Sequence, residues 1–353
     1  VASLLDPKTF QLLRRASREA RRRGVLVDDL PAEVVATLML PRVDMAKWGM
    51  PANSEVTADR VHGNQAPANA LAAAAGGYWL PAAELLAATW GDWAARVEVV
   101  RALGDAAAAD DTWLSAWRAA RPRDPGHAVV LARMLIVVAW QVRDSQRGVD
   151  TTREQFVGFR RVLLEARQAA VAAAEVAPED PTPWWAHVTL ARGLSYEHDE
   201  FLAVWSELLA RDPLHRHAHV QALRYWCRKW RGSDDLMTEF AATAAATSPT
   251  LAVLPLQAAF EHDHDRWRDQ DVVAALDTLL TRLSTDPHDT PFTRDERGWA
   301  IQALMANNRH NEAITQLRAL GTHADAEPWS LSESPVFLFL QTRTKACTNA
   351  GRP

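Results

Sequence analysis

Residues 180–213 read DPTPWWAHVTLARGLSYEHDEFLAVWSELLARDP, an interval bounded by Asp180-Pro181 and Asp212-Pro213. Apolar residues recur inside it every three or four positions, as in Phe201, Val204, Trp205, Leu208 and Leu209. That period is helical and excludes a strand. Tyr196-Glu197-His198 divides the interval into two helices. The same punctuation recurs along the chain, at Asp124-Pro125, Ser248-Pro249 and Asp286-Pro287. Pro181, Pro213, Pro249 and Pro287 follow one another at 32, 36 and 38 residues. A proline lacks the amide needed to continue a helix, so each one closes a pair and opens the next. One amphipathic pair cannot bury its apolar face alone, so successive pairs must stack.

This period is that of tetratricopeptide (TPR) helix pairs, about 34 residues. The reading predicts helices over 82–103, 111–120, 127–143, 153–177, 183–195, 199–210, 214–230, 234–247, 250–262, 269–284, 294–307, 310–319 and 334–347. Residues 81–347 are thus expected to form a TPR-like array of about six helix pairs. The expected class is all-α, a right-handed α-solenoid. Residues 1–80 read differently. A basic helix over 4–23 carries Arg14, Arg15, Arg18, Arg21, Arg22 and Arg23, and a short helix runs from Glu33 to Leu40. Residues 41–68, with Pro41, Gly49, Pro51, Gly63 and Pro67, read as an irregular, mobile arm.

Composition narrows the function classes. Hydrophobic residues are 48% of the chain and charged residues 24%, enough apolar surface for a packed core. A net charge of −5 gives no global attraction to nucleic acid or acidic membrane. No apolar run reaches membrane-spanning length, and the first residues hold no apolar leader segment. Two cysteines and no CxxC point to free thiols, hence a cytoplasmic expectation. Four lysines among 39 basic residues suggest a GC-rich bacterial genome.

Several phrases resemble one family. They are Ala116-Trp117-Arg118-Ala119-Ala120-Arg121-Pro122, Leu208-Leu209-Ala210-Arg211-Asp212-Pro213, and above all Lys229-Trp230-Arg231-Gly232-Ser233 followed by Met237 and Phe240-Ala241. Over residues 110–247 the chain resembles a family of TPR-like bacterial proteins of unknown function with a Trp-Gly-Gly-Ser signature. Arg231 stands where that family has its first glycine. The resemblance implies a fold and no activity. The residues themselves read Gly232 as a helix stop and Ser233 as the cap of the next helix.

Candidate chemistry is sparse. No GxSxG, P-loop or strand-borne GxGxxG occurs, so a non-catalytic binding scaffold is expected, with no cofactor and no metal. In TPR-like arrays the first helices line the concave face. Arg192 and Arg224 each lie eleven residues after a proline, and Arg228 fifteen after Pro213. Their register points them into that groove, where guanidinium forks suit the carboxylates of an acidic peptide or protein partner. The alternative is pairing with acids on neighbouring helices. His215, His217 and His219 offer either a metal pair at i, i+4 or capping, solvated side chains. The turns Tyr196-Glu197-His198-Asp199-Glu200 and Glu261-His262-Asp263-His264-Asp265 read as an acidic rim, for a basic partner or simply solvated. Cys227 has His219 on its own helix eight residues away, more than two turns and too far for an activating pair. Self-association is expected to use Pro335-Val336-Phe337-Leu338-Phe339-Leu340, unless that run caps the array internally. The alternative function is an enzyme or accessory subunit whose site is completed by the 41–80 arm, with His62-Gly63-Asn64 as its polar cluster.

Overall fold

A computed structural model of the chain describes residues 7–144, 153–262, 265–286 and 288–352. Among these residues the regular structure is helical, and β-structure is limited to an isolated bridge between Thr57 and His323. The helices are α1 (Pro7–Arg23), α2 (Ala32–Met39), α3 (Gln65–Ala75), α4 (Leu80–Ala87), α5 (Trp93–Ala109), α6 (Thr112–Ala120), α7 (Pro125–Asp144), α8 (Arg153–Val176) and α9 (Thr182–Leu194). They continue with α10 (His198–Leu209), α11 (Arg216–Trp226), α12 (Asp234–Thr247), α13 (Val253–Glu261), α14 (Gln270–Thr285), α15 (Pro291–Ala306), α16 (His310–Leu320) and α17 (Pro335–Ala350).

The proline turns share one device. Asp124, Asp180, Asp212 and Asp286 each accept the backbone N–H two residues on, at Gly126 (2.8 Å), Thr182 (2.8 Å), Leu214 (3.1 Å) and His288 (2.9 Å). Ser248 Oγ accepts from Thr250 N in the same way at 3.3 Å. Proline at the intervening position has no amide to compete, and the side chain satisfies the next orphan donor.

Three helices depart from the periodic reading. The expected 82–103 helix is two helices, broken where Gly91 takes φ +87° and Asp92 caps α5 by accepting from Ala95 N at 3.0 Å. Helix α3 occupies part of the stretch read as irregular, with Pro67 tolerated in its first turn. Helix α11 stops at Trp226 rather than at 230. There the chain folds back: Arg231 N donates to Tyr225 O (3.2 Å) and Gly232 N to Cys227 O (3.4 Å). A Cβ on Gly232 would lie 1.8 Å from the Trp226 carbonyl oxygen, so only glycine fits. Ser233 Oγ then caps α12 by accepting from Leu236 N at 3.1 Å. The Trp-Arg-Gly-Ser phrase is thus a backbone-packing and capping motif.

The chain forms two compact units, Val61–Arg282 and the discontinuous pair Val1–Arg60 with Leu283–Pro353. The boundary expected at residue 80 falls inside the first of these. In unit 61–282, each helix from α7 to α9 packs on the next, and α5, α7, α9, α11 and α13 pack successively on one another. Trp113, Trp117, Trp185, Phe201 and Tyr225 fill its core. At the Pro181 turn, Arg96 Nε meets Asp180 Oδ2 at 2.7 Å, both side chains fully buried. Arg96 Nη1 also donates to Leu86 O at 3.1 Å, and its guanidinium lies 5.0 Å from the Trp90 ring centroid.

In the other unit, residues 45–50 are core rather than arm. Met45, Trp48 and Met50 are buried among Ile301, Ile314, Leu317, Trp329 and Phe339. Arg318 Nε holds the Trp48 carbonyl at 2.6 Å. The apolar start of α17 is also used within the unit: Phe339 and Leu340 are buried, and Phe337 N donates to Glu33 Oε1 of α2 at 3.0 Å.

Two outcomes are expected in urea unfolding followed by tryptophan fluorescence. Gly232→Ala loses about 2–3 kcal/mol through forced backbone displacement. Asp180→Ala loses about 3–5 kcal/mol, because it strands the Arg96 charge in the interior.

Candidate functional site

The three arginines singled out by register meet different fates. Arg192, on α9, is half-buried, and its Nη2 donates to Gln221 Oε1 of α11 at 2.7 Å. Its guanidinium carbon lies 5.7 Å from the ring centroid of Trp140 and 5.6 Å from that of Trp230. Those rings meet edge to face at 5.7 Å, and Trp140 also packs on Phe159 at 5.4 Å. Arg224 sits one helical turn along α11 from Gln221 and is half-buried. Arg228 lies past the end of α11. Its side chain is 68% exposed and pairs with Asp234 at 3.3 Å. The structure therefore places Arg192 and Arg224 on adjacent helices joined through Gln221, and puts Arg228 in the following turn.

A polar seam that the periodic reading passes over adjoins them. Glu98, Arg101 and Asp105 share a face of α5. Glu98 Oε1 contacts His217 Nε2 of α11 at 2.7 Å and Arg101 Nη1 at 3.3 Å. Asp105 Oδ1 accepts from Arg133 Nη2 of α7 at 2.7 Å. Gly104 makes that crossing possible, since a Cβ there would lie 2.2 Å from Arg133 Cγ. The signal in the sequence was Arg133 itself, a charge inside the apolar run Ala128–Trp140.

The histidines are buried rather than solvated, and one of them is a helix cap. His215 Nδ1 caps α11 by accepting from Ala218 N at 3.2 Å, and His219 Nδ1 meets the His215 carbonyl at 3.0 Å. His215, His217 and His219 are all buried. Burial, helped by the charge of His217, pushes the His215 pKa down to about 3. Burial also lowers His217, opposed by its bond to Glu98. His187 falls to about 4 through burial, with Arg167 adding to the shift. Among the described residues, no three histidine, cysteine, aspartate or glutamate side chains gather as metal ligands.

The two acidic turns close on one basic turn between them. Arg231 pairs with Glu197 of the first, and His198 Nε2 meets the Arg231 carbonyl at 2.7 Å. Lys229 Nζ pairs with Glu261 of the second at 2.6 Å. His262 contacts Thr238 Oγ1 at 3.2 Å, while Asp263 and His264 lie outside the described residues. These acids join neighbouring helix pairs. Cys227 and Cys347 are free and buried. Burial pushes the Cys227 thiol above its ordinary value and Cys347 up to about 11, opposite to an activated nucleophile. His62-Gly63-Asn64 forms the turn before α3. On α1, Glu19 binds Arg22 and Arg23, which hold its carboxyl down at about 2.

The second unit buries a run of three charged residues. Arg294, Asp295 and Glu296 of α15 are all buried. Arg60 grips both oxygens of Asp295 at 3.1 and 2.9 Å, and Asp295 Oδ1 also accepts from Glu327 N at 2.9 Å. Arg294 grips Asp289 at 3.0 and 2.9 Å and reaches His323 Nδ1 at 3.0 Å. This network fastens residues near 60 and 323–327 to α15.

Comparison with known protein families, curated proteins and solved structures found no match to this chain. Among the described residues, no helix is long and apolar enough to cross a membrane.

The buried histidines give a pH dependence with a definite sign. With folded values below the ordinary 6.5, the unfolded chain takes up protons first as pH falls. Their contribution is present above 6.5 and lost as pH drops towards about 4 for His187, with a slope near 1.4 kcal/mol per pH unit per group. His187→Phe is expected to flatten that slope in urea titrations at stepped pH, and an unchanged slope would refute the assignment.

Proposed function

We propose that the chain is a non-catalytic scaffold or adaptor, a right-handed solenoid of TPR-like helix pairs that takes an acidic peptide or protein segment across its α9–α11 face. The observation that carries this reading is Arg192, packed against the edge-to-face pair of Trp140 and Trp230 and oriented by the Gln221 amide. A stacked guanidinium fork loses little freedom when it receives a carboxylate. Trp140 and Trp230, both half-buried, supply apolar surface for the residue beside that carboxylate. Arg224, one turn from Gln221, adds a second cation. The successive packing of α5, α7, α9, α11 and α13 supports a stacked array, as does the recurring capped proline turn. The Trp-Arg-Gly-Ser phrase supports kinship with the TPR-like family that it resembles, and two free thiols suit a cytoplasmic setting.

The alternative, an enzyme or accessory subunit closed by the 41–80 arm, has less support. Met45, Trp48 and Met50 are core residues, and burial pushes the Cys227 thiol away from the nucleophilic thiolate.

Affinity capture from a host lysate, with bound proteins identified by mass spectrometry, tests the proposal. Arg192→Glu and Arg224→Glu are expected to weaken capture by about 2 kcal/mol or more while leaving helix content unchanged. Arg228→Glu is expected to retain it. Full capture by a folded Arg192→Glu/Arg224→Glu double variant would sink the groove reading.

A further inference from the structure

Helix α8 has 24 residues, so it is about 36 Å long, and it has two unlike faces. Phe159, Leu163, Ala166, Ala170 and Ala173 are buried, and α8 packs on α7 and α9. The fit to α9 is close: a Cβ on Gly193 would lie 2.5 Å from Leu163 Cδ1. The outward face carries Val157 (61% exposed), Leu164 (39%) and Val171 (42%), spaced seven residues apart. Leu164, Arg167, Gln168, Val171, Ala172 and Glu175 line a shallow depression of about 480 Å³ on this face.

Aliphatic residues scattered singly over a surface need no explanation. A seven-residue spacing held over three positions is different. Seven residues are nearly two helical turns, so the three side chains fall in one narrow stripe, the seam of paired helices.

The charges beside the stripe select the occupant and its direction. Arg160 and Arg161 flank the amino-terminal half, and Glu175 stands at the carboxyl-terminal end, all three exposed. A parallel copy would set arginine against arginine. An antiparallel copy sets Leu164 against Val171 of the second copy. Arg160 lies four residues before Leu164, and Glu175 four after Val171, so in that register Arg160 of each copy meets Glu175 of the other. A two-fold axis makes every such contact twice. We propose that α8 is a self-association surface, on which two copies of this chain pair antiparallel through Leu164 and Val171, with reciprocal Arg160–Glu175 ion pairs. The surface is independent of the peptide-binding reading.

Sedimentation velocity and multi-angle light scattering on the full chain, from nanomolar to tens of micromolar, test this. The expected result is a dimer that dissociates on dilution. Leu164→Glu should give a monomer with unchanged helix content and thermal unfolding. Arg160→Glu and Glu175→Arg should each weaken dimerisation several-fold, and the double variant should recover it, because the exchanged charges face each other again. A wild-type chain that stays monomeric throughout overturns the proposal. So does a dimer that survives Leu164→Glu, or a double variant no tighter than the single ones.

Discussion

Each proline turn described above places an acceptor side chain just before the proline, bonded to the amide just after it. Proline ends the preceding helix because it cannot donate, and the aspartate or serine satisfies the amide that follows it. Five turns, at Asp124, Asp180, Asp212, Ser248 and Asp286, share this device. Helices α7 and α9 begin directly from it, whereas α11 takes its cap from His215 and α15 from Thr290. At Asp180 the same carboxylate also neutralises buried Arg96, so one side chain caps a helix and fastens α5 to the turn.

Buried charge is the second organising constraint. An unpaired interior ion is costly, so Arg96, Arg294 and Asp295 persist only with partners placed to match. Two of those partnerships join distant parts of the chain: Asp180 lies 84 residues from Arg96, and Asp295 lies 235 from Arg60. Such pairs specify which segments meet, more than they add net stability. In the unit built from both chain ends, Arg60 and Asp295 join segments that no local signal connects.

The candidate site was partly legible. Arg192 and Arg224 could be found by counting from the prolines, because register along a helix is a property of local spacing. Arg228 could not be separated from them in this way. Its helix ends early at Trp226, and the chain folds back through Gly232, whose Cα has no room for a side chain against the Trp226 carbonyl. The packing of Arg192 against Trp140 and Trp230 was hidden too, since the rings come from residues 52 positions before and 38 after it. Likewise the acidic turns look like a free rim until Lys229 and Arg231 are seen between them.

By itself the sequence determined the all-helical class, most helix positions, and the caps at the proline turns and at Ser233. Those depend on periodicity and on side chains reaching two or three residues along the chain. Only the tertiary structure decided which charges are buried, that residues 45–50 belong to a core, and that Arg192 packs against two tryptophans. Burial and partnership are set by neighbours remote in sequence, and no local pattern carries them.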